Sequence, residues 1–229
     1  MIIPLVAEEE WIAALSELPL WEPSSCPTVI LSPHPDDETL GVGGLLSALS
    51  SRGVDVRVIA VTDGENAYDG DRGLGPIRQR EQEHALEEIG VCAEKITRLR
   101  LEDSGLNKFE EDLIRQLSAC IEPGTHLIAP WPGDFHPDHE VCGRAAQSVA
   151  ASLGLQLTFY FFWTWHRGTP ATLDGLPLVA FPLTAEQVTR KGRALAHHGS
   201  QLTHASGQPI LPSYLLEPMK RQFEVYLPA

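Results

Sequence analysis

Short apolar runs alternate along the chain with longer segments whose apolar residues recur every three to four positions. The short runs are residues 28–31, 54–61, 96–101, 125–129 and 155–163. Their length and their β-branched or aromatic residues predict buried strands. The longer segments are residues 7–20, 40–52, 76–90, 107–121, 137–153 and 184–198. Their spacing predicts helices, and Pro76 and Gly90 occupy favourable start and stop positions of one of them.

Strands that alternate with helices predict a parallel sheet, because each crossover is right-handed and covers the sheet. We therefore expect an α/β fold of Rossmann-like type, with a doubly wound, mostly parallel sheet and helices on both faces. The leading strand order is 3-2-1-4, in which ligands bind beyond the carboxyl ends of the first and fourth strands. The length fits a single domain over residues 1–229.

Composition narrows the class of function. A formal net charge of −14 has the wrong sign for a surface that must neutralise nucleic-acid phosphates. No apolar run approaches the roughly 20 residues of a membrane-spanning helix, and the N-terminus lacks the basic flank of a secretory signal. We expect a soluble, cytoplasmic protein with neither a nucleic-acid nor a membrane partner. Four widely spaced cysteines are expected to be reduced and mostly packing residues: Cys26, Cys92, Cys120 and Cys142.

The loops after the first and fourth strands carry residues capable of chemistry. They read Ser32-Pro-His-Pro-Asp-Asp-Glu38 and Trp131-Pro-Gly-Asp-Phe-His-Pro-Asp-His139. His34, Asp37 and His139 supply two imidazoles and one carboxylate, the open three-ligand set of a catalytic zinc. Asp36 is a spare acid beside them, and His136 shares a helix face with His139. These groups would repel or leave one another unpaired without a cation, so we expect a metal.

The residues alone leave other chemistries to weigh. The same ligand set serves Fe(II) oxygenases and is not excluded by ligand identity, although the spare Asp36 favours hydrolysis. Gly41, Gly43 and Gly44 do not form the GxGxxG of a dinucleotide loop, and no GxSxG elbow indicates a serine hydrolase. A non-catalytic binding module with a structural metal is the alternative from another class. Asp36 argues against it, because a structural site fills its coordination shell.

Several motifs occur together in one βα frame. They are His34-Pro-Asp-Asp-Glu38 with Gly41-Val-Gly-Gly44, His136-Pro-Asp-His139, Thr62-Asp-Gly-Glu65, Arg78-Gln-Arg-Glu81, Ile89-Gly-Val91 and Ala196-His-His-Gly-Ser-Gln201. In these motifs the chain resembles the PIG-L/LmbE-like family of zinc-dependent N-acetylglucosaminyl deacetylases. The resemblance covers about residues 28–201, which we take as the core, and it adds nothing on the N-terminal helix or on residues 202–229.

The resemblance implies a role for each residue of the two histidine loops. By it, His34, Asp37 and His139 would bind one zinc ion. Asp36 would be the general base, and His136 would stabilise the oxyanion and help to protonate the leaving amine. The chemistry agrees, since zinc polarises a carbonyl and lowers the pKa of its water toward ~7.

Candidates for substrate binding rest on weaker signals. Arg78 and Glu81 match a segment that the resemblance implies to line the sugar pocket, although a surface ion pair at i,i+3 explains them equally well. Other candidates are His198, Trp131 and Asn66, with a polar rim over residues 63–71. Trp163 and Trp165 have rings that could stack on a sugar, but an aromatic strand is more often core.

The substrate expected from the resemblance is an N-acetylated hexosamine of glucosamine type, free or conjugated, cleaved to amine and acetate. The charge of −14 ranks neutral glycosides above nucleotide sugars unless Arg78 or Arg80 compensates locally. Zinc is the expected cofactor, as one divalent metal with Fe²⁺ left open. The aglycone and a homo-oligomeric state are also left open.

Overall fold

The computed structural model describes residues 3–68, 70, 72–204 and 206–229. The helices are α1 (Glu8–Leu15), α2 (Asp37–Ser51), α3 (Leu74–Ile89), α4 (Glu110–Cys120), α5 (Pro137–Leu153), α6 (Thr164–Arg167), α7 (Ala185–Ala196) and α8 (Gly199–Leu202). The strands are β1 (Thr28–Ser32), β2 (Val56–Ala60), β3 (Ile96–Arg98), β4 (His126–Pro130), β5 (Gln156–Tyr160), β6 (Val179–Pro182) and β7 (Phe223–Pro228). Short 3-10 helices span Ala93–Lys95, Leu106–Lys108, Pro170–Leu173 and Ser213–Lys220.

Seven strands of the described residues form one sheet in the order β3-β2-β1-β4-β5-β7-β6. The pairs among β1 to β5 are parallel, whereas β7 runs antiparallel to both of its neighbours. The predicted α/β fold and the order 3-2-1-4 are confirmed. Because β1 pairs directly with β4, the loops that follow these two strands leave the same edge of the sheet.

Buried side chains alternate between the two faces of the sheet, as the period of two in a strand requires. On β1, Val29 and Leu31 pack in one apolar cluster with Ala145 of α5. Ile30 packs in the opposite cluster with Leu45 of α2. Helices α1, α4 and α5 cover the first face, and α2, α3 and α7 cover the second.

Helix α2 begins at Asp37, three residues before the predicted start, so adjacent acids occupy its first turn. Its glycines allow it to lie close to the sheet and to the strand ends. A Cβ on Gly41 would clash with the ring of Tyr160, and one on Gly44 would clash with Leu183. These glycines are packing positions inside a helix, in agreement with the rejection of a dinucleotide loop.

The fold extends at both ends beyond residues 28–201. The pattern does not predict β6, which lies in a Pro- and Gly-rich segment, or β7, and the predicted strand over residues 155–163 ends at Tyr160. Helix α1 packs Trp11 against Trp165 with ring centroids 5.1 Å apart. Arg221 Nε donates to Glu8 Oε1 at 2.6 Å, which joins the two ends.

The four cysteines are unpaired, but their environments differ. Cys142 is buried in the core, as expected of a packing residue, whereas Cys92 is exposed and Cys26 and Cys120 are half-buried. Cys92 is thus not a packing residue, and it precedes a 3-10 helix at the surface. Within the described part of the chain, no helix has both the length and the apolar character needed to cross a bilayer.

Candidate active site

The loop after β1 is held by bonds to its own backbone. Ser32 Oγ donates to the carbonyl of His34 at 2.7 Å, and the Asp37 N–H donates to the same carbonyl at 3.2 Å. Asp36 takes a φ of 152°, which residues with a Cβ rarely adopt. Its buried carboxylate makes no capping bond to α2 and lies 3.3 Å from Nη2 of Arg78. Such backbone strain is typical of functional sites, where the surroundings enforce it.

The loop after β4 delivers two histidines at the start of α5. The Trp131 N–H donates to the Tyr160 carbonyl at 2.9 Å, which ties the loop to β5. His136 is the N-cap residue, and its Nδ1 accepts from the Asp138 N–H at 3.3 Å. Pro137 follows in the first helical position, where its fixed φ suits the helix. His139 then lies one turn further along, fully buried.

Asp37 joins the two loops. Its Oδ2 lies 3.0 Å from Nδ1 of His34 and 3.2 Å from Nε2 of His139. The structure thus brings together the three residues predicted to bind the metal. His136 stands beside the same point, since one ring nitrogen from each of the three histidines lies within 4.8 Å of the others.

Outer carboxylates contact the imidazoles of His34 and His139 on the side away from Asp37. Asp134 Oδ2 lies 2.8 Å from Nδ1 of His139. Asp138 Oδ2 and Asp103 Oδ1 lie 3.2 and 3.4 Å from Nε2 of His34. One nitrogen of each ring therefore meets a carboxylate while the other faces Asp37, which is how metal-binding histidines are oriented in proteins.

The sequence motifs alone do not assign Asp134 and Asp138 a role as outer partners of the histidines. Their place inside the second histidine loop is the available signal, whereas Asp103 lies outside every motif. Its position depends on the turn after β3, where Ser104 has a φ of 62°. The Asn66 N–H, from another loop, donates to Asp103 Oδ2 at 3.0 Å.

The residues present fit a divalent metal. His139 Nε2 is buried and has no hydrogen-bond partner among the described residues, despite its closeness to Asp37. A cation between this nitrogen, Asp37 and His34 would satisfy the orphaned atom and offset the buried carboxylates. Two nitrogens and one oxygen form a donor set that suits zinc and leaves a coordination position open.

Burial and charge shift the pKa values of the two acids in opposite directions. Burial raises the pKa of Asp36 to about 8, against the opposing effect of Arg78. Burial acts the same way on Asp37, but the charge of His139 and hydrogen bonds from both histidines hold its pKa well below the usual range. Asp37 is thus a carboxylate suited to bind a cation, and Asp36 can exchange a proton near neutral pH.

His136 differs from the other two histidines. Burial lowers its pKa to about 3, and the charges of His34 and His139 act in the same direction. Its ring stacks on Trp163 with centroids 5.6 Å apart. Because Nδ1 accepts a hydrogen bond, Nε2 carries the proton of the neutral ring. The neutral ring of His136 can therefore donate a hydrogen bond through Nε2.

Arg78 is buried, and its guanidinium donates hydrogen bonds to two loops. Nη1 donates to the carbonyl of Gly64 at 2.9 Å, and Nη2 donates to the carbonyl of Pro35 at 3.1 Å and to Asp36 Oδ2 at 3.3 Å. Arg78 does line the cavity beside the histidines. These contacts position Asp36 and its loop, and the buried Arg78 does not form the surface ion pair with Glu81 that was the alternative. The expected contact of Arg78 with a sugar stays a prediction.

Glu81 and His198 lie outside the cavity, so the expected substrate contacts are not supported for either residue. Glu81 accepts from the Ser200 N–H at 2.7 Å and from its Oγ at 2.6 Å, and so fixes the start of α8. His198 is fully buried, with Nε2 3.2 Å from Oγ1 of Thr39. Both side chains hold neighbouring segments against α2 and α3.

The cavity beside the histidines has a volume of about 200 Å³. Its lining includes His34, Asp36, Asp37, Asn66, Arg78, Asp103, His136, Trp163 and Ile210. Trp131 packs on Phe161 with centroids 5.5 Å apart, and Trp165 lies in the core, so neither lines the cavity. Of the predicted rim over residues 63–71, Asn66 and Ala67 line the cavity, and Asp69 and Asp71 lie outside the described residues.

Residues 29–150, which include both histidine loops, match the family described as PIG-L, GlcNAc-PI de-N-acetylase. The chain belongs to the PIG-L family. The resemblance inferred from the motifs is confirmed at this level. The PIG-L match ends at α5, so the segments that form β5, β6 and β7 lie beyond it.

Curated relatives of this PIG-L chain carry related names. This chain is 31% identical over 134 residues to the diacetylchitobiose deacetylase of Thermococcus kodakarensis. The alignment covers 55% of this chain and 49% of that protein. The chain is 28% identical over 185 residues to a probable N-acetyl-α-D-glucosaminyl L-malate deacetylase 2 of Bacillus anthracis, in an alignment that covers 76% and 80%. The chain thus spans about half the length of the first relative.

Solved structures share the fold. The N,N'-diacetylchitobiose deacetylase from Pyrococcus horikoshii has a TM-score of 0.67 at 22% identity, with 98% of this chain and 94% of that chain covered. The A40926 pseudoaglycone deacetylase has a TM-score of 0.68 at 20% identity, with 90% and 97% covered. These similarities support the PIG-L fold over nearly the whole chain.

Proposed function

We propose that this chain is a metal-dependent N-deacetylase that removes the acetyl group of an N-acetylglucosamine-type sugar or conjugate and releases acetate. The observation that carries the proposal is the pair of imidazoles, each with one nitrogen against an outer carboxylate and the other facing Asp37. Family membership and the names of the curated relatives support the reaction class.

His34, Asp37 and His139 are the proposed ligands of one divalent metal, for which we propose zinc. When bound, such a metal polarises the acetamide carbonyl and lowers the pKa of water. The outer contacts of Asp134 and Asp138 keep the two imidazoles turned toward Asp37. This orientation is fixed before the substrate arrives, which reduces the entropy lost on binding.

Asp36 is the proposed general base. It lies beside Asp37 but contacts Arg78, so its carboxylate stays outside the proposed ligand set. Its ionised carboxylate accepts a proton from water as the water oxygen attacks the acetamide carbon, and the raised pKa makes this carboxylate a stronger base than an ordinary aspartate. When the carbon–nitrogen bond breaks, the departing amine takes up this proton, and acetate is left.

His136 is the proposed donor to the oxyanion. Its neutral ring carries a proton on Nε2, and its contact with Trp163 limits the freedom of the ring. A hydrogen bond aimed at the developing negative charge lowers the barrier without a proton transfer. The proton balance of the reaction then rests on Asp36, and His136 is a stabilising group.

We propose a neutral glycoside as the substrate class. The cavity places directional groups such as Asn66 and Asp103 near the histidines, as a hydroxylated ring requires. Buried carboxylates dominate the charge around it, and the whole chain carries a net charge of −14. An anionic nucleotide sugar would meet this negative field.

Acetate release from zinc-loaded protein tests the proposal. The panel comprises N-acetylglucosamine, its methyl glycoside, a nucleotide-linked form and an acetyl-lysine peptide, with Asp36→Asn as the matched inactive variant. We expect acetate from the sugar substrates, with the neutral glycosides turned over fastest. Activity confined to acetyl-lysine would contradict the sugar assignment, and inactivity on every substrate would favour the metal-containing binding module.

A further inference from the structure

A second cavity of about 500 Å³ adjoins the candidate active site. Trp163 and Ile210 line both cavities, so the two cavities are adjacent. Its other walls come from residues 207–215. We name this second cavity the side groove.

The side groove is built by a segment beyond the family match. Residues 207–215 lie after residue 150, where that match ends. The Ile210 N–H donates to the Tyr68 hydroxyl at 3.0 Å, and the Leu211 N–H donates to the Gln201 carbonyl at 3.0 Å. Leu215 is buried in the core and anchors the far end. The wall is thus a tied part of this chain's fold.

Uncharged side chains form the lining of the side groove. Its apolar members are Trp163, Pro209, Ile210, Pro212 and Leu215. Gln208 and Tyr214 add an amide and a hydroxyl, and the remaining lining residue is a glycine. A carboxylate or phosphate that entered the groove would lose water without gaining a counter-charge from its walls, which is unfavourable.

The nearby cation does not change this character. Arg167 places its guanidinium carbon 4.6 Å from the Trp163 ring centroid, and its Nη1 donates to the Phe135 carbonyl at 2.7 Å. Arg167 is not part of the groove lining. The apolar surface around Ile210 therefore remains the main feature that a bound group would contact.

The active-site cavity is small for a complete substrate. Its volume of about 200 Å³ lies below the roughly 300–1,000 Å³ of typical small-molecule sites. A sugar with its acetamide at the histidines would therefore extend beyond this cavity, and the side groove adjoins the cavity at Trp163 and Ile210.

We infer that the side groove binds the aglycone of the substrate and that this aglycone is an uncharged alkyl or aryl group. The inference rests on the proposed deacetylase function and names its substrate more closely. It separates this chain from its Bacillus anthracis relative, whose name specifies an L-malate conjugate with an anionic aglycone. Transfer of an alkyl chain from water to the groove supplies the binding energy.

Kinetics on a glycoside series test the inference. The substrates are the methyl, butyl and octyl glycosides of N-acetylglucosamine, each below its micelle-forming concentration, and the L-malate glycoside. Each buried methylene adds about fourfold in binding, so we expect kcat/KM to rise at least tenfold from methyl to butyl. The malate glycoside is expected to fall below the butyl one.

Two variants locate the effect in the side groove. Tyr214→Ser alters the groove without touching the first cavity, and Ile210→Asn places an amide where both cavities meet. We expect either change to lower the octyl-to-methyl ratio of kcat/KM about tenfold. Leu20→Asn, at an apolar side chain that is 77% exposed, is the matched control and should keep the wild-type ratio.

The outcomes separate the two proposals. A methyl glycoside that is hydrolysed without a gain for longer chains, or a preferred malate glycoside, would overturn the aglycone inference alone. A ratio unchanged in both groove variants would do the same. Failure to hydrolyse any glycoside would overturn the deacetylase proposal and the inference with it.

Discussion

Asp36 and Asp37 are adjacent in sequence but have different partners. Asp37 faces the two imidazoles, whereas Asp36 faces the guanidinium of Arg78. The backbone is strained at Asp36, where the two neighbouring side chains turn toward these different partners. Two carboxylates whose pKa values are shifted apart can take the separate roles of ligand and base.

Substitution of each acid by its amide tests the separation of roles. Asp36→Asn should retain the metal and lower kcat by ~10²–10⁴-fold, the usual contribution of a general base. Asp37→Asn should lose both metal and activity. Metal content by elemental analysis and acetate release measure the two effects, with the surface variant Asp112→Asn as control. Full turnover by Asp36→Asn would contradict its role as base.

Asp134 has the most connections of the outer carboxylates. Besides its contact with His139 Nδ1, it accepts from the backbone N–H groups of residues 162, 163 and 164. Asp134→Asn should lower metal affinity about 10–100-fold, because His139 loses a charged orienting partner. Competition with a chelator measures the affinity, and a melting curve checks the fold. An unchanged affinity in a folded variant would contradict this role.

At the scale of elements, β7 is tied to the helix that carries the acids. Glu224 of β7 accepts from the N–H groups of Gly44 and Leu45 inside α2, each at 2.8 Å. It also pairs with the buried Lys191 of α7 at 2.6 Å. One carboxylate from the last strand therefore holds two helices on the same face of the sheet.

Glu224→Ala should lower the free energy of unfolding by about 3–5 kcal/mol, because it leaves Lys191 buried without a partner. Glu217→Ala removes a carboxylate from an exposed pair with Lys220 and should change the free energy of unfolding by less than ~1 kcal/mol. Urea unfolding of both variants measures the difference. Equal effects would show that the Glu224 contacts do not stabilise the fold.

The junction of β4 and β5 gives the protein a pH-dependent stability. His126 is buried, with Nε2 2.9 Å from Oγ1 of Thr158, and burial lowers its pKa to about 4. In the unfolded chain the imidazole of His126 binds a proton more readily than in the folded chain, so stability is lost as pH falls from about 6.5 toward 4. A fall in pH from 7 to 5 should lower the free energy of unfolding by about 2 kcal/mol through His126. His126→Gln should remove that part of the pH dependence, measured by urea unfolding at both pH values. An unchanged pH dependence would contradict the buried neutral state.

At the scale of the whole molecule, local patterns predict the central part of the fold. The first five strands and their helices have simple periodicity, and the right-handed crossover rule then arranges the strands. β6 and β7 depend on antiparallel pairing that brings β7 between β5 and β6, which no local pattern encodes. Glu224 is even a charged residue within a buried strand, which an apolar pattern does not predict.

The candidate site was predicted where motif and strand end coincide. His34, Asp37 and His139 needed only the two loops to be neighbours, which the strand order ensures. Glu81 shows the limit, because sequence alone does not tell whether a polar side chain faces a cavity or holds another loop. Asp103 was missed for the complementary reason, since its contact with His34 comes from a turn without a recognisable motif.

Metal dependence of acetate release tests the central claim most directly. Protein stripped with a chelator is titrated with Zn²⁺ while acetate release from methyl N-acetylglucosaminide is followed. The account predicts no release from the stripped protein and a rise that reaches its maximum at one equivalent per chain. Release at the full rate from the stripped protein would contradict a metal held by His34, Asp37 and His139.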